Sequence, residues 1–129
     1  MPWLISYKKN GSDVVKQTFE WVSDGSGNAS VVGGLLASGE IQRVVFVPST
    51  TEAPTANYDI TLTDANGVDV LAGQGANLAA SGNTHVCPGL PLKDGTTTSV
   101  VPIVVDSILT LNVSNAGASK AGSVIVYLR

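Results

Sequence analysis

Clusters of turn-forming residues interrupt this chain about once every ten residues, and the segments between them are strand-length, with no helical periodicity. Ser23-Asp24-Gly25-Ser26-Gly27-Asn28, Asp64-Ala65-Asn66-Gly67 and Pro88-Gly89-Leu90-Pro91 are the sharpest of these clusters. Between them, residues 15–22 alternate, with Val15, Phe19 and Trp21 on one face and Lys16, Thr18 and Glu20 on the other. A half-buried strand has that period of two.

The same reading predicts strands over 29–37 and 40–48, joined at Ser38-Gly39 as a tight hairpin, with a bulge at Gly33-Gly34. Pro48 has no amide proton to donate and closes the second of them. Residues 49–57 read as an exposed loop. Asn66-Gly67, between the alternating runs 58–63 and 68–72, is the strongest short-range hairpin signal in the chain. The Gly/Ala-rich stretch 73–82 has room for one helical turn around 76–80. Further strands are predicted over 84–87, 98–105, 107–114 and 122–129, with Pro102 confining its strand to an edge or a bulge. Eight or nine strands so arranged predict an all-β fold, an antiparallel β-sandwich of jelly-roll or Ig-like type. Residues 15–129 form its single domain, and 1–14 form an N-terminal segment able to dock as an arm. No internal repeat is visible.

Composition fits a packed core. Apolar residues make up 43% of the 129 and charged residues 13%, the reverse of a disordered chain. Seven Lys or Arg against ten Asp or Glu give a net charge of −3, and the basic residues are scattered. Nucleic-acid binding draws its affinity from concentrated positive charge, so that class is not expected. A single cysteine, Cys87, forms no internal disulfide, which suits folding in a reducing cytoplasm. The N-terminal charges follow a very short apolar stretch, so no secretory signal is expected. The most apolar run, 100–113, is broken by Pro102, Asp106 and Ser107 and falls short of the ~20 residues a membrane helix needs.

Candidate chemistry is sparse. His85 is the only histidine and stands two residues from Cys87, too small a set for a zinc site or a nucleophile with its base. Asp64 to Asp69 resembles the opening of a calcium loop but lacks the later bidentate Glu, and hairpin chemistry accounts for its Asp, Asn and Gly. Asn28-Ala-Ser30 and Asn112-Val-Ser114 match a glycosylation pattern with no expected route to modification. Gly25-Ser-Gly27 and Gly73-Gln-Gly75 lack the Lys and the helix of a phosphate-cradling loop. No catalytic, cofactor-binding or metal-binding residue is therefore expected. Trp3, Leu4, Ile5 and Tyr7 form an apolar segment that must dock on its own sheet or on a neighbour.

The stretch from Tyr58 to Gly73, YDITLTDANGVDVLAG, followed by Gly75-Ala-Asn77 and the closing GSVIVYLR of 122–129, resembles small virion proteins of tailed bacteriophages, in particular capsid decoration or cement proteins. The resemblance covers roughly residues 21–129 and carries no functional residue with it. It implies a structural protein on the virion's capsid exterior, made in the host cytoplasm. There it would bridge major capsid protein subunits and stabilise the shell, with a possible homo-oligomer on the capsid. The expected contacts are Trp3, Leu4, Ile5 and Tyr7, Thr51, Glu52 and Pro54 of one loop, and Gln74, Asn77 and Leu78 of another. The alternative is a phage tail or baseplate component, or a receptor- or glycan-binding module. No partnership with nucleic acid or membrane is expected.

Overall fold

A computed structural model describes residues 14–91 and 100–129. They form eight strands: β1 (Val15–Val22), β2 (Ala29–Pro48), β3 (Asp59–Thr63), β4 (Thr84–Val86), β5 (Gly89–Pro91), β6 (Val100–Pro102), β7 (Val104–Ser114) and β8 (Ala121–Leu128). Every pairing between strands is antiparallel. The pairing order is β1-β8-β2-β7-β3, with β4 joining β2 to complete a six-stranded sheet, while β5 and β6 form a separate ribbon. The described residues contain no helix. The all-β, antiparallel expectation holds. The two separate sheets expected of a sandwich do not, because β2 belongs to both halves of one connected sheet.

That difference comes from Ser38-Gly39. No hairpin forms there, and residues 29–48 run as one strand whose first half pairs with β7 and whose second half pairs with β8. Gly39, at φ 120°, sits where β2 changes partner. A Cβ on it would lie 2.7 Å from the Arg129 carbonyl oxygen, so only glycine lets the end of the chain approach this closely. Glu40 and Arg129 exchange backbone hydrogen bonds of 3.0 Å in both directions beside it. Turn-like composition marked the spot; a long-range contact uses it.

One core serves the whole sheet. Phe19 and Trp21 of β1, Val44 and Phe46 of β2, Ile60 and Leu62 of β3, Leu109 and Leu111 of β7, and Val124 and Val126 of β8 are all buried. Each large apolar side chain contributes roughly 1.5–3 kcal/mol by leaving water. β1 and β3 stand at opposite ends of the pairing order, yet Trp21 and Tyr58, the residue before β3, bring their rings within 5.8 Å. The sheet curls around its core. The bulge expected at Gly33-Gly34 appears as a register shift between Val32 and Leu36, and β2 ends at Pro48 as predicted.

Other elements depart from expectation. The Asp64–Gly67 turn forms, but its second arm shrinks to a single bridge, Thr63 with Asp69, before the chain turns again. Residues 76–80 make no helical turn; Leu78 instead bridges to Tyr58. Val70, Gly75 and Leu78 bond the backbone of Leu62, Ile60 and Tyr58 in turn, so this stretch covers the outer edge of β3. Asp106 does not separate two strands; it pairs with Ser38 inside β7. The corner expected at 88–91 is partly the strand β5, paired with β6 and Pro102.

Candidate interaction surface

Strand β7 places Val105, Leu109, Leu111 and Val113 inward, so alternation turns Val104, Asp106 and Ile108 outward. On β2 the outward residues include Val32 and Leu36, and the bulge adds Leu35. Leu36 stands directly opposite Ile108. The outcome is an outer face on which Val32 is 66% exposed, Leu36 59% and Ile108 40%, while Val104, 71% exposed, stands opposite Glu40 beyond the Ser38–Asp106 pair. Scattered exposed valines are ordinary, but adjacent ones on one flat face mark interaction surfaces. On the other half of the sheet the outer face carries Lys16, Thr18 and Glu20, and the Arg43 guanidinium lies 4.8 Å over the Tyr127 ring.

These residues were absent from the contacts expected from sequence. A signal was available: Val31-Val32, Leu35-Leu36, Val104-Val105 and Ile108-Leu109 are doubled apolar pairs within strands. In a regular strand, two adjacent apolar residues face opposite sides, so one of each pair must be turned out; at Leu35-Leu36 the bulge turns out both.

The expected contact residues are dispersed. Trp3, Leu4, Ile5 and Tyr7 lie outside the described residues. Thr51 and Glu52 are exposed, but Pro54 beside them is buried. Its loop is fastened at both ends, with Thr55 donating to the Ala116 carbonyl at 2.9 Å and Ala121 to the Glu52 carbonyl at 2.9 Å. Gln74 and Asn77 are exposed, while Leu78 is 3% exposed and part of the core. Pro54 and Leu78 therefore hold their loops down and do not present a contact surface. The bridge to Tyr58 is what turns Leu78 inward.

The remaining candidates resolve into structural roles. Asp64 Oδ1 accepts from the amides of Asn66 and Val68 at 2.9 and 3.0 Å, and Asp69 accepts from Leu62, Leu71 and Gly73. Both carboxylates are thus engaged by backbone. Among the described residues no group of three or more His, Cys, Asp or Glu could hold a metal ion. His85 lies on β4 opposite Val45 and is exposed. Cys87, also exposed, lines a cavity of about 150 Å³ with Ile41, Gln42, Pro88 and Val101. A shallow hollow of about 320 Å³ lies where small Ala121 and Ser123 fall between Glu20 and Val22 on one side and Val47 on the other. Burial raises the Tyr58 hydroxyl to about 12, which keeps it neutral across physiological pH. Two buried polar atoms, Gln17 Oε1 and Trp21 Nε1, have no hydrogen-bond partner among the described residues.

No family model and no curated protein matches the chain. Among solved structures, the crystal structure of FLHE matches 88% of this chain and 97% of its own at 16% identity, with a TM-score of 0.35. The structure of infectious bursal disease virus Gx strain matches 100% of this chain and 32% of its own at 15% identity, with a TM-score of 0.28. Both likenesses are weak and assign no family.

Proposed function

We propose that this protein is a structural binding module that docks its outer β2–β7 face on another protein. Following the resemblance to capsid decoration proteins, that partner is the major capsid protein on the exterior of an assembled phage head. The observation that carries the reading is the exposed apolar cluster of Val32, Leu36 and Ile108, the last two directly opposite each other. A patch of this kind is costly to leave in water and gains by being covered. Many copies on one shell add up weak contacts through avidity, which is how a small module stabilises a large assembly. The finer architecture goes with this reading: the sheet bends at Gly39 so that its halves face each other as a sandwich, one outer face then being free to bind. The contact of Trp21 with Tyr58 supports that geometry.

Glycan binding finds less support among the described residues, because stacking on sugars needs exposed aromatic rings: Phe19, Trp21, Phe46 and Tyr58 are buried, and the half-buried Tyr127 ring lies under the Arg43 guanidinium. The test is co-sedimentation with heads that lack the protein, followed by thermal challenge. Saturable binding, a raised disruption temperature and loss of both in Leu36→Lys and Ile108→Lys are expected. Failure to bind heads, or binding that both variants retain, overturns the assignment.

A further inference from the structure

Strand β1 ends the pairing order of the six-stranded sheet, and among the described residues it pairs with β8 alone. Parity fixes which of its backbone groups face β8. Ser23 donates its amide to the Lys120 carbonyl at 2.8 Å, and Val15↔Leu128 through Val22↔Ala121 continue the same register. In an antiparallel ladder alternate residues exchange both bonds with one neighbour. The odd-numbered residues of β1 therefore bond β8, and their side chains Gln17, Phe19 and Trp21 are buried. The amides and carbonyls of Lys16, Thr18, Glu20 and Val22 point the other way, along the open edge.

We propose that this edge is the seam of a symmetric dimer, in which β1 pairs antiparallel with β1 of a second copy about a twofold axis through Thr18. Edge strands commonly carry charge to prevent such pairing, and a single sign repels every second copy. Here the two charges are of opposite sign and equally spaced about Thr18, Lys16 before it and Glu20 after it. Consider the registers that bring the free backbone groups of both strands together. Pairing Lys16 with itself or Glu20 with itself sets like charges opposite. Pairing Lys16 with Thr18 or with Val22 leaves both charges without a counterpart directly across. The register centred on Thr18 sets Lys16 opposite Glu20 twice, with the two threonines opposite each other between them, and cross-strand ion pairs and Thr–Thr pairs both favour association. The three facing pairs exchange about six backbone hydrogen bonds. A seam one strand wide buries less than the ~800 Å² per partner of a standard interface, so association belongs in the micromolar range. This inference is independent of the capsid reading.

Sedimentation equilibrium on the full chain up to about 200 μM should show a monomer–dimer equilibrium. Glu20→Lys and Lys16→Glu should each weaken it by roughly tenfold or more, since each turns two attractive pairs into repulsive ones. The double variant carrying both changes should recover the wild-type dissociation constant, a rescue that general destabilisation does not produce. In a Cys87→Ser background, Thr18→Cys should oxidise to a covalent dimer, because opposed residues about 5.5 Å apart at Cα meet the disulfide requirement. A wild-type monomer throughout that range overturns the proposal, as when residues 1–13 of the same chain cover the edge. A dimer indifferent to both single variants, or no cross-link at Thr18→Cys, overturns it equally.

Discussion

Two loops at different places in this sheet are wired alike. In 24–28 the Asp24 carboxylate accepts from the amides two and four residues on, at 2.8 and 3.0 Å, and in 64–68 Asp64 does the same at 2.9 and 3.0 Å. In each, the glycine three residues on donates to the aspartate carbonyl, and the aspartate amide donates to the carbonyl four residues on. Gly27 and Gly67 hold φ of 83° and 77°. Their surroundings differ. Gly27 is buried, and a Cβ on it would lie 2.8 Å from the Gly117 amide, whereas Gly67 has nothing within 4 Å. The same local chemistry makes a free-standing turn in one place and, in the other, an anchor that ties β1 to the 115–120 loop.

The sharpest way to break this comparison is to give both glycines a side chain. Gly67→Ala should cost about 1–2 kcal/mol, the penalty for an L-residue held at positive φ. Gly27→Ala carries that penalty and also forces its methyl group against backbone that cannot swing aside, for a total of about 3–5 kcal/mol. Urea unfolding of the two variants measures the gap. Equal losses would mean that the 115–120 loop moves away freely and that Gly27 anchors nothing.

How legible these features are in the sequence follows from the range of the contacts behind them. Strand β1, the bulge after Val32, the end of β2 at Pro48 and the Asp64 turn each depend on residues within a few positions, and pattern alone finds them. Ser38-Gly39 has turn composition, but its role is set by Arg129 at the far end of the chain, so local reading makes it a hairpin. Leu78 reads as a loop residue because its partner, Tyr58, is twenty positions away in sequence. The apolar outer face was legible in principle from the doubled pairs at Val31-Val32 and Ile108-Leu109. What pattern alone does not tell is which member of each pair faces out, since that is set by the partner strand. The kinship of the two loops was hidden because they share only an aspartate and a glycine at fixed spacing, preceded by a hydroxyl residue.

That hydroxyl offers a second, smaller test. Ser23 is 4% exposed; its Oγ donates to the Gly117 carbonyl at 2.5 Å and accepts from the Lys120 amide at 2.8 Å. Thr63, its counterpart, is half-buried and donates to the Thr110 carbonyl at 3.3 Å. Ser23→Ala leaves a part-buried amide and carbonyl short of a partner and should cost about 1–3 kcal/mol. Thr63→Val keeps the shape, removes that bond to Thr110 and a 3.4 Å bond accepted from Asn112 Nδ2, both long and only part-buried, and should cost less than about 1 kcal/mol. Thermal unfolding ranks them; an equal or reversed order would remove Ser23 as the pin between the loops.

The smallest effect is electrostatic. The backbone amide of Asn28, and after it that of Ser26, hold the Asp24 carboxyl below its ordinary value of 3.8. A carboxyl whose folded value is depressed stabilises the fold fully above the unfolded value, and the contribution disappears as pH falls through the folded one. Asp24→Asn keeps an oxygen for both amides but removes the charge. The variant should therefore be less stable than the wild type at neutral pH, with the gap closing as pH falls through the depressed folded value. Melting temperatures recorded from neutral to acid pH follow that gap directly, and a gap constant with pH would show that the charge is not its source. The loop that carries this charge is the anchored one, where the Ser119 amide also donates to the Asp24 backbone carbonyl at 3.3 Å.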